Sequence, residues 1–190
     1  MPFPRISIVT PCYNAENYIE ETIASVLDQN YPNLQYIIID GGSQDRTLDI
    51  IRKYSPYLAY WVSEPDDGQA DAIAKGFARC DGDVFNWLNA DDYYLPRAFE
   101  IVAAAFANPS CNVLAARSKI LGLGNDRVSS GTDLYPNLEK TIGRARIDQP
   151  ETFFRLSRLR TIEGIDKTFH FLMDKELWIR YLLRFGLSGI

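Results

Sequence analysis

Two adjacent carboxylates, Asp91 and Asp92, stand at the end of the apolar run Val84-Phe85-Asn86-Trp87-Leu88, in the sequence Asn89-Ala90-Asp91-Asp92. A run of β-formers that delivers paired carboxylates to its C-terminal end puts negative charge where open α/β sheets bind ligands. Hard cations such as Mg²⁺ or Mn²⁺ are held by one or two carboxylates together with substrate phosphates, so this tip is a candidate metal–diphosphate site. The competing reading is a loop whose aspartates only cap a helix starting near Pro96. Two further carboxylates hold comparable positions. Asp40 ends the run Leu34-Gln35-Tyr36-Ile37-Ile38-Ile39 and precedes Gly41-Gly42-Ser43, and Asp174 opens the last amphipathic stretch. Each has a plain alternative, a turn-former for Asp40 and a helix cap for Asp174.

These residues need a scaffold, and the hydrophobic pattern supplies one. Arg5 to Thr10 is a short β-run broken by Pro11-Cys12-Tyr13-Asn14, and a helix with Ile19, Ile23, Val26 and Leu27 on one face follows. The continuous apolar run before Asp40 reads as a strand buried on both faces of a parallel sheet. Ser43 is a plausible N-cap for a helix carrying Leu48, Ile50, Ile51 and Tyr54. A third strand spans Leu58 to Ser63, a helix runs from about Gln69 to Arg79, and the Val84 strand comes next. Strands alternating with helices in this way predict a parallel, doubly wound α/β half. Past Pro96 the spacing of Phe99, Val102, Ala103 and Phe106 predicts a helix, and a β-run spans Val113 to Leu121. The alternation then ends. Gly122 to Pro136 reads as a hairpin or lid, Glu151 to Arg155 as a strand, and Asp174 to Phe185 as an amphipathic helix.

Composition narrows the classes. With 46% hydrophobic and 24% charged residues over 190 positions, the chain reads as one domain with a sizeable core, without repeats or linkers. Acidic residues outnumber basic ones 25 to 20, and no basic block tracks a phosphate backbone, so nucleic acid is not an expected partner. No apolar run approaches the ~20 residues of a membrane span, which makes a cytoplasmic location the expectation, with peripheral contact at the inner membrane face compatible with it. Cys12, Cys80 and Cys111 are odd in number and in no metal-ligand spacing, so they read as reduced thiols. Gly41-Gly42 lacks the G-x-G-x-x-G spacing of dinucleotide sites. The segment Thr10 to Asn17 contains neither the glycine nor the basic residue that a sugar-phosphate nucleotidyltransferase needs around a triphosphate.

In family order and at family-like spacing, the pieces resemble the family 2 glycosyltransferases of the GT-A fold, from about Arg5 to Phe185. The resemblance is carried by Thr10-Pro11 with Tyr13-Asn14, and by Asp40-Gly41-Gly42-Ser43 with Asp45 and Thr47. It continues through Glu64-Pro65-Asp66, Asp67-Gly68-Gln69-Ala70-Asp71-Ala72, the Asp91 region in place of a D-x-D motif, and Gly164-Ile165-Asp166 ahead of Met173-Asp174. It implies a Rossmann-like, mostly parallel sheet flanked by helices over about residues 1–95, which binds a nucleotide-diphosphate sugar. A mixed-sheet acceptor-side half over about 96–190 would follow, shortened at its C-terminal end relative to many members.

The resemblance further implies that Thr10, Pro11, Asp40 and Gln69 surround the base and ribose of a UDP-sugar, with Asn89 and Ala90 beside the donor. Asp91, assisted by Asp92, would bind Mn²⁺ or Mg²⁺, and Asp174 would be the general base of an inverting, hexosyltransferase-like reaction on a saccharide or lipid-linked saccharide acceptor. Polysaccharide, cell-wall or lipid-linked oligosaccharide assembly is the implied setting. Asn89 stands where the family more often has aspartate, which removes one negative charge, lowers the expected metal affinity and leaves open a catalytically weak nucleotide-sugar-binding domain. Asp166 reads as structural, and His170 as a packed or acceptor-side residue.

Overall fold

The computed structural model describes residues 3–121, 126–129, 131–132, 134–144 and 146–190. Strands β1 (Ile6–Cys12), β2 (Leu34–Asp40), β3 (Tyr60–Ser63) and β4 (Val84–Trp87) run parallel in the order β3-β2-β1-β4, linked by helices α1 (Ile19–Leu27), α2 (Thr47–Tyr54) and α3 (Gln69–Arg79). The strand order reverses between β1 and β4, and the crevice outside the C-terminal ends of such strands is where open α/β sheets take ligands. Cover on both faces of the sheet explains why β1 and β2 are buried along almost their whole length. Ile6, Ile8 and Ile38 face one core with Ile19, Ile23 and Val26, while Val9, Ile37 and Ile39 face the other with Ala72, Ile73 and Leu177. On that second side α3 approaches β1 so closely that a Cβ on Gly76 would collide with the Val9 side chain.

The second half adds α4 (Ala98–Phe106), β5 (Val113–Ala115), β6 (Lys119–Ile120), β7 (Arg127–Val128), α5 (Leu138–Arg144), β8 (Thr152–Arg155), α6 (Leu156–Arg160) and α7 (Met173–Phe185). Strand β8 inserts antiparallel between β4 and β5, so one six-stranded sheet, β3-β2-β1-β4-β8-β5, runs through both halves. Helix α7 buries Leu177, Trp178, Tyr181 and Leu182 against the same core as Phe154. The expected β/α alternation, the break after it, and the α4 and α7 helices are all present.

Three local expectations need correction. Strand β1 is not broken at Pro11; it continues to Cys12, in register with Ile39 and Asp40 of β2. Val9 offers its carbonyl to Leu88, just past the end of β4, so Pro11, two residues on, also faces that side, where pairing has already ended and no N–H is required. Ser43 caps no helix, since α2 begins at Thr47. The Val113 run divides into β5 and β6, the latter paired with β7 in a separate hairpin. Of the Gly122–Pro136 stretch expected as a hairpin or lid, residues 122–125, 130 and 133 lie outside the described residues.

Candidate active site

The first part of the site is built by the loop after β1 and the turn after β2, and their sequences explain each other. Ser43, Asp45 and Thr47 alternate along the chain, and each takes one backbone N–H of the opposite loop: Ser43 Oγ accepts from Asn14 at 2.8 Å, Thr47 Oγ1 from Ala15 at 2.7 Å and Asp45 Oδ2 from Glu16 at 3.0 Å. Asn14 Oδ1 accepts from Gln44 N–H and Glu16 Oε2 from Arg46 N–H in return. The paired loops are thus held without regular secondary structure. Asp40 anchors them from below. Fully buried, its carboxylate accepts from the N–H groups of Gly42 and Ser43, from both the Ser43 and Ser63 hydroxyls, and from the Cys12 thiol at 3.6 Å. Burial, and then the Asp40 charge, push the Cys12 thiol far up and keep it protonated.

Above this anchor lies a cavity of about 640 Å³ walled by Pro11, Cys12, Tyr13, Gly41, Asp66 and Gln69, and by the Asn89–Asp91 tip. Thr10 and Asp40 sit behind this wall and not on it: Thr10 is fully buried with Oγ1 on the Tyr36 hydroxyl at 3.0 Å. Asp66, Tyr13 and Cys12 take up the wall positions. Gly41 is required there by close approach, because a Cβ at that position would lie 2.7 Å from Asp66 Oδ2. Asp66 in turn accepts the N–H of Gly68, whose φ of 104° turns the chain into α3 and presents Gln69 at its first position.

The tip of β4 is clamped by α1. Thr22 Oγ1 donates toward the carbonyls of Ala90 at 2.7 Å and Asp92 at 2.8 Å, Ser25 Oγ accepts from Tyr94 N–H, and Gln29 Nε2 donates to the Leu95 carbonyl. Thr22 and Ser25 share one face of α1, and Gln29, just past its end, continues that polar stripe beside the apolar one. Helix α4 starts at Ala98 with Arg97 at its N-cap, and neither Asp91 nor Asp92 caps it. Asp91 is exposed and makes no hydrogen bond or ion pair among the described residues. Asp92 is half-buried, and burial, followed by the Asp91 charge, raises its pKa. Asn89 bridges the group: its oxygen accepts from Gln69 Nε2 at 2.8 Å, and its amide nitrogen points at Asp92 Oδ2 at 3.4 Å. An aspartate at 89 would place a third negative charge where Asp92 is already held up by its neighbour.

Beyond the tip a second, larger cleft of about 1180 Å³ shares Gln69, Asn89 and Asp91 with the first and extends to Asp92, His170, Asp174 and the β6–β7 hairpin. Asp174 is half-buried at the second position of α7; Leu172, in the left-handed region at φ 57°, is the N-cap residue, and Asp174 Oδ1 takes the Lys175 N–H at 2.8 Å. His170 is exposed, facing Gly68 across the mouth. Asp166 accepts from Thr168 N–H and Oγ1 and shapes the turn before α7. The floor is polar and buried: Asn86 binds the Tyr94 hydroxyl, the Pro150 carbonyl and Gln149, and Glu151 accepts from Ser118 and Ser129. Burial raises the Glu151 pKa against the pull of those hydroxyls.

Residues 7–173 match the family described as glycosyl transferase family 2, which is most of the chain. The chain belongs to glycosyl transferase family 2. An uncharacterised glycosyltransferase of Mycobacterium tuberculosis is 31% identical over 187 residues, covering 95% of this chain and 70% of that protein. TuaG of Bacillus subtilis, named for teichuronic acid biosynthesis, is 39% identical over 94 residues, 47% of this chain and 36% of its own length. Among solved structures, S. aureus TarS 1-349 in complex with UDP-GlcNAc superposes with a TM-score of 0.78 at 20% identity, over 94% of this chain and 53% of that one. The mannosyltransferase PcManGT of Pyrobaculum calidifontis, in complex with GDP-Man and Mn²⁺, gives 0.64 at 20% identity, over 88% and 49%. The fold is GT-A, and the chain spans about half the length of these structural neighbours.

Within that family fold, the structure gathers Pro11, Gln69, Asn89, Ala90, Asp91, Asp92 and Asp174 around the two connected cavities and leaves Thr10 and Asp40 beneath them. Among the described residues no three His, Cys, Asp or Glu side chains cluster as a self-sufficient metal site. The unpartnered Asp91 beside the half-buried Asp92 fits a cation that takes its remaining ligands from substrate oxygens and water. No helix of the described residues is long and apolar enough to cross a membrane.

Proposed function

We propose that this family 2 domain transfers a sugar from a nucleotide-diphosphate sugar, with a uridine nucleotide the best fit, to a hydroxyl of a saccharide acceptor, with inversion at the anomeric carbon. One observation carries the reading: the smaller cavity and the larger cleft meet at Gln69, Asn89 and Asp91, and Asp174 lines the larger one. That arrangement supports a donor lying across the β4 tip, with its nucleoside toward Tyr13 and Asp66 and its sugar toward Asp174. Asp174 takes the proton of the acceptor hydroxyl, whose oxygen then forms the new bond to the anomeric carbon as the bond to the diphosphate breaks. The diphosphate leaves with the electron pair of the broken bond, and the Gln69 and Asn89 amides bound its path. Mn²⁺ or Mg²⁺ held by Asp91 and Asp92 would neutralise the charge developing on that leaving group. A uridine donor and a Mn²⁺-assisted site are in keeping with the complexes of TarS and PcManGT, and a polysaccharide acceptor with the name of TuaG.

The test is thermal stability in the presence of UDP, with and without Mn²⁺. A ligand at about 100 times its dissociation constant adds roughly 2.7 kcal/mol to the folded state, a readily measured shift in melting temperature. Stabilisation should be larger with the cation, and Asp91→Ala should remove the increment while leaving the metal-independent part. If wild type responds equally with and without Mn²⁺, Asp91 holds no metal.

A further inference from the structure

The β6–β7 hairpin gives the wall of the larger cleft a charge that the transfer chemistry does not use. Arg117, Lys119, Arg127 and Arg146 all line it, in a chain whose net charge is −5. Lys119 is neutralised by Asp126 at 2.7 Å and Arg146 by Asp148 at 2.8 Å. Arg117 and Arg127 are exposed and have no carboxylate partner among the described residues. Glu151, the buried acid of the cleft, is engaged by the Ser118 and Ser129 hydroxyls.

The platform beneath the two arginines is fixed. Ser118 and Ser129 exchange backbone and side-chain hydrogen bonds, Ser129 N–H to Ser118 O at 2.7 Å and Ser118 N–H to Ser129 Oγ at 3.0 Å, and both hydroxyls close on Glu151, which is 5% exposed. Guanidinium groups present planar forks that match carboxylate and phosphate oxygens; Arg127 is carried on β7 and Arg117 stands two residues before β6.

We propose that the acceptor is an anionic saccharide, bearing carboxylate or phosphate-ester groups, and that Arg117 and Arg127 each engage an anionic group of it along the cleft. This names the acceptor class within the transferase reading and rests on it. Charge at this position would orient the chain so that a hydroxyl, and not the anion, faces Asp174; an anion beside that carboxylate would be repelled.

The experiment uses the whole chain with UDP and Mn²⁺ present and titrates three probes: trigalacturonate, a glycerol-phosphate trimer and neutral galactotriose. At low salt at least one anionic probe should bind about tenfold or more tightly than the neutral one, the scale of a charge-assisted hydrogen bond. The tighter of the two anionic probes distinguishes carboxylate from phosphate ester. Arg117→Gln with Arg127→Gln should bring anionic affinity down to the neutral level, and Arg117→Lys with Arg127→Lys should restore part of it. UDP affinity, measured separately, should be the same in all variants. Equal binding of anionic and neutral probes overturns the proposal, as does full anionic affinity in the glutamine variant. A parallel fall in UDP affinity overturns it too, by moving the arginines to the donor diphosphate. Wild type that fails to bind UDP at all overturns the transferase reading and this inference together.

Discussion

The smaller cavity and the larger cleft meet at the β4 tip but are assembled by different means. Around the smaller cavity, Ser43, Asp45 and Thr47 face Asn14, Ala15 and Glu16 across β1 and β2, two consecutive strands paired in parallel over seven positions each. Around the larger cleft, Gln149 reaches Asn86 across 63 positions and Glu151 reaches Ser118 across 33, and the strands of the hairpin are two residues long. The first set of contacts is seated on the central strands of the sheet. The second ties together segments that are not neighbours in chain order, at the edge of the sheet and beyond it; under the proposed reading this is the half that would vary with the acceptor.

The sharpest test of that division is at Asp174, the acceptor-side residue that would do chemistry. Asp174→Asn keeps an oxygen for the Lys175 N–H and removes the capacity to accept a proton. Transfer, or slow donor hydrolysis if no acceptor is known, should fall by about 10²–10⁴ while UDP affinity and melting temperature hold. Wild-type turnover in this variant would show that Asp174 is not the base and leave it only its contact with the Lys175 N–H.

Asp40 should behave in the opposite way, through structure. Asp40→Ala leaves the N–H groups of Gly42 and Ser43 and the Ser63 hydroxyl without their acceptor, which should cost about 3 kcal/mol of unfolding free energy. Uridine affinity should fall with it as the Gly41-Gly42-Ser43 turn loosens. A denaturation midpoint equal to wild type would show that the turn stands without its anchor.

These two aspartates also mark how far the sequence could be read. Strand and helix order, the two-sided burial of β2 and the placing of Asp91 and Asp174 at element ends followed from periodicity and punctuation, because those signals are local. Asp40 was visible as a strand-end carboxylate, but its direction was not: five neighbouring donors turn it inward, and only Cys12 and Gly41 in front of it face the cavity. The Thr22-Ser25-Gln29 stripe had a legible spacing, yet nothing local says that its partners are backbone groups 66 to 70 residues away. Glu151 looked like the start of a strand. Its burial depends on two serines of a hairpin too short for any periodic signal.

Glu151 therefore offers the smallest and most specific probe of the acceptor half. Its folded-state pKa is raised by burial, so the native protein binds this proton more tightly than the unfolded chain does. The associated stability is fully present below the unfolded carboxylate value, about 4.3, and is lost as pH rises through the raised native value. Glu151→Gln mimics the protonated form and should match or exceed wild-type stability at neutral pH, with the difference vanishing on acidification below about pH 4. Glu151→Ala leaves the Ser118 and Ser129 hydroxyls without their acceptor and should lose about 1–3 kcal/mol. Because this carboxylate anchors the hairpin and not the donor loops, neither change should alter UDP affinity. If Glu151→Gln destabilises at neutral pH as much as Glu151→Ala, the charge itself holds the hairpin, and the serine pair alone does not account for its position.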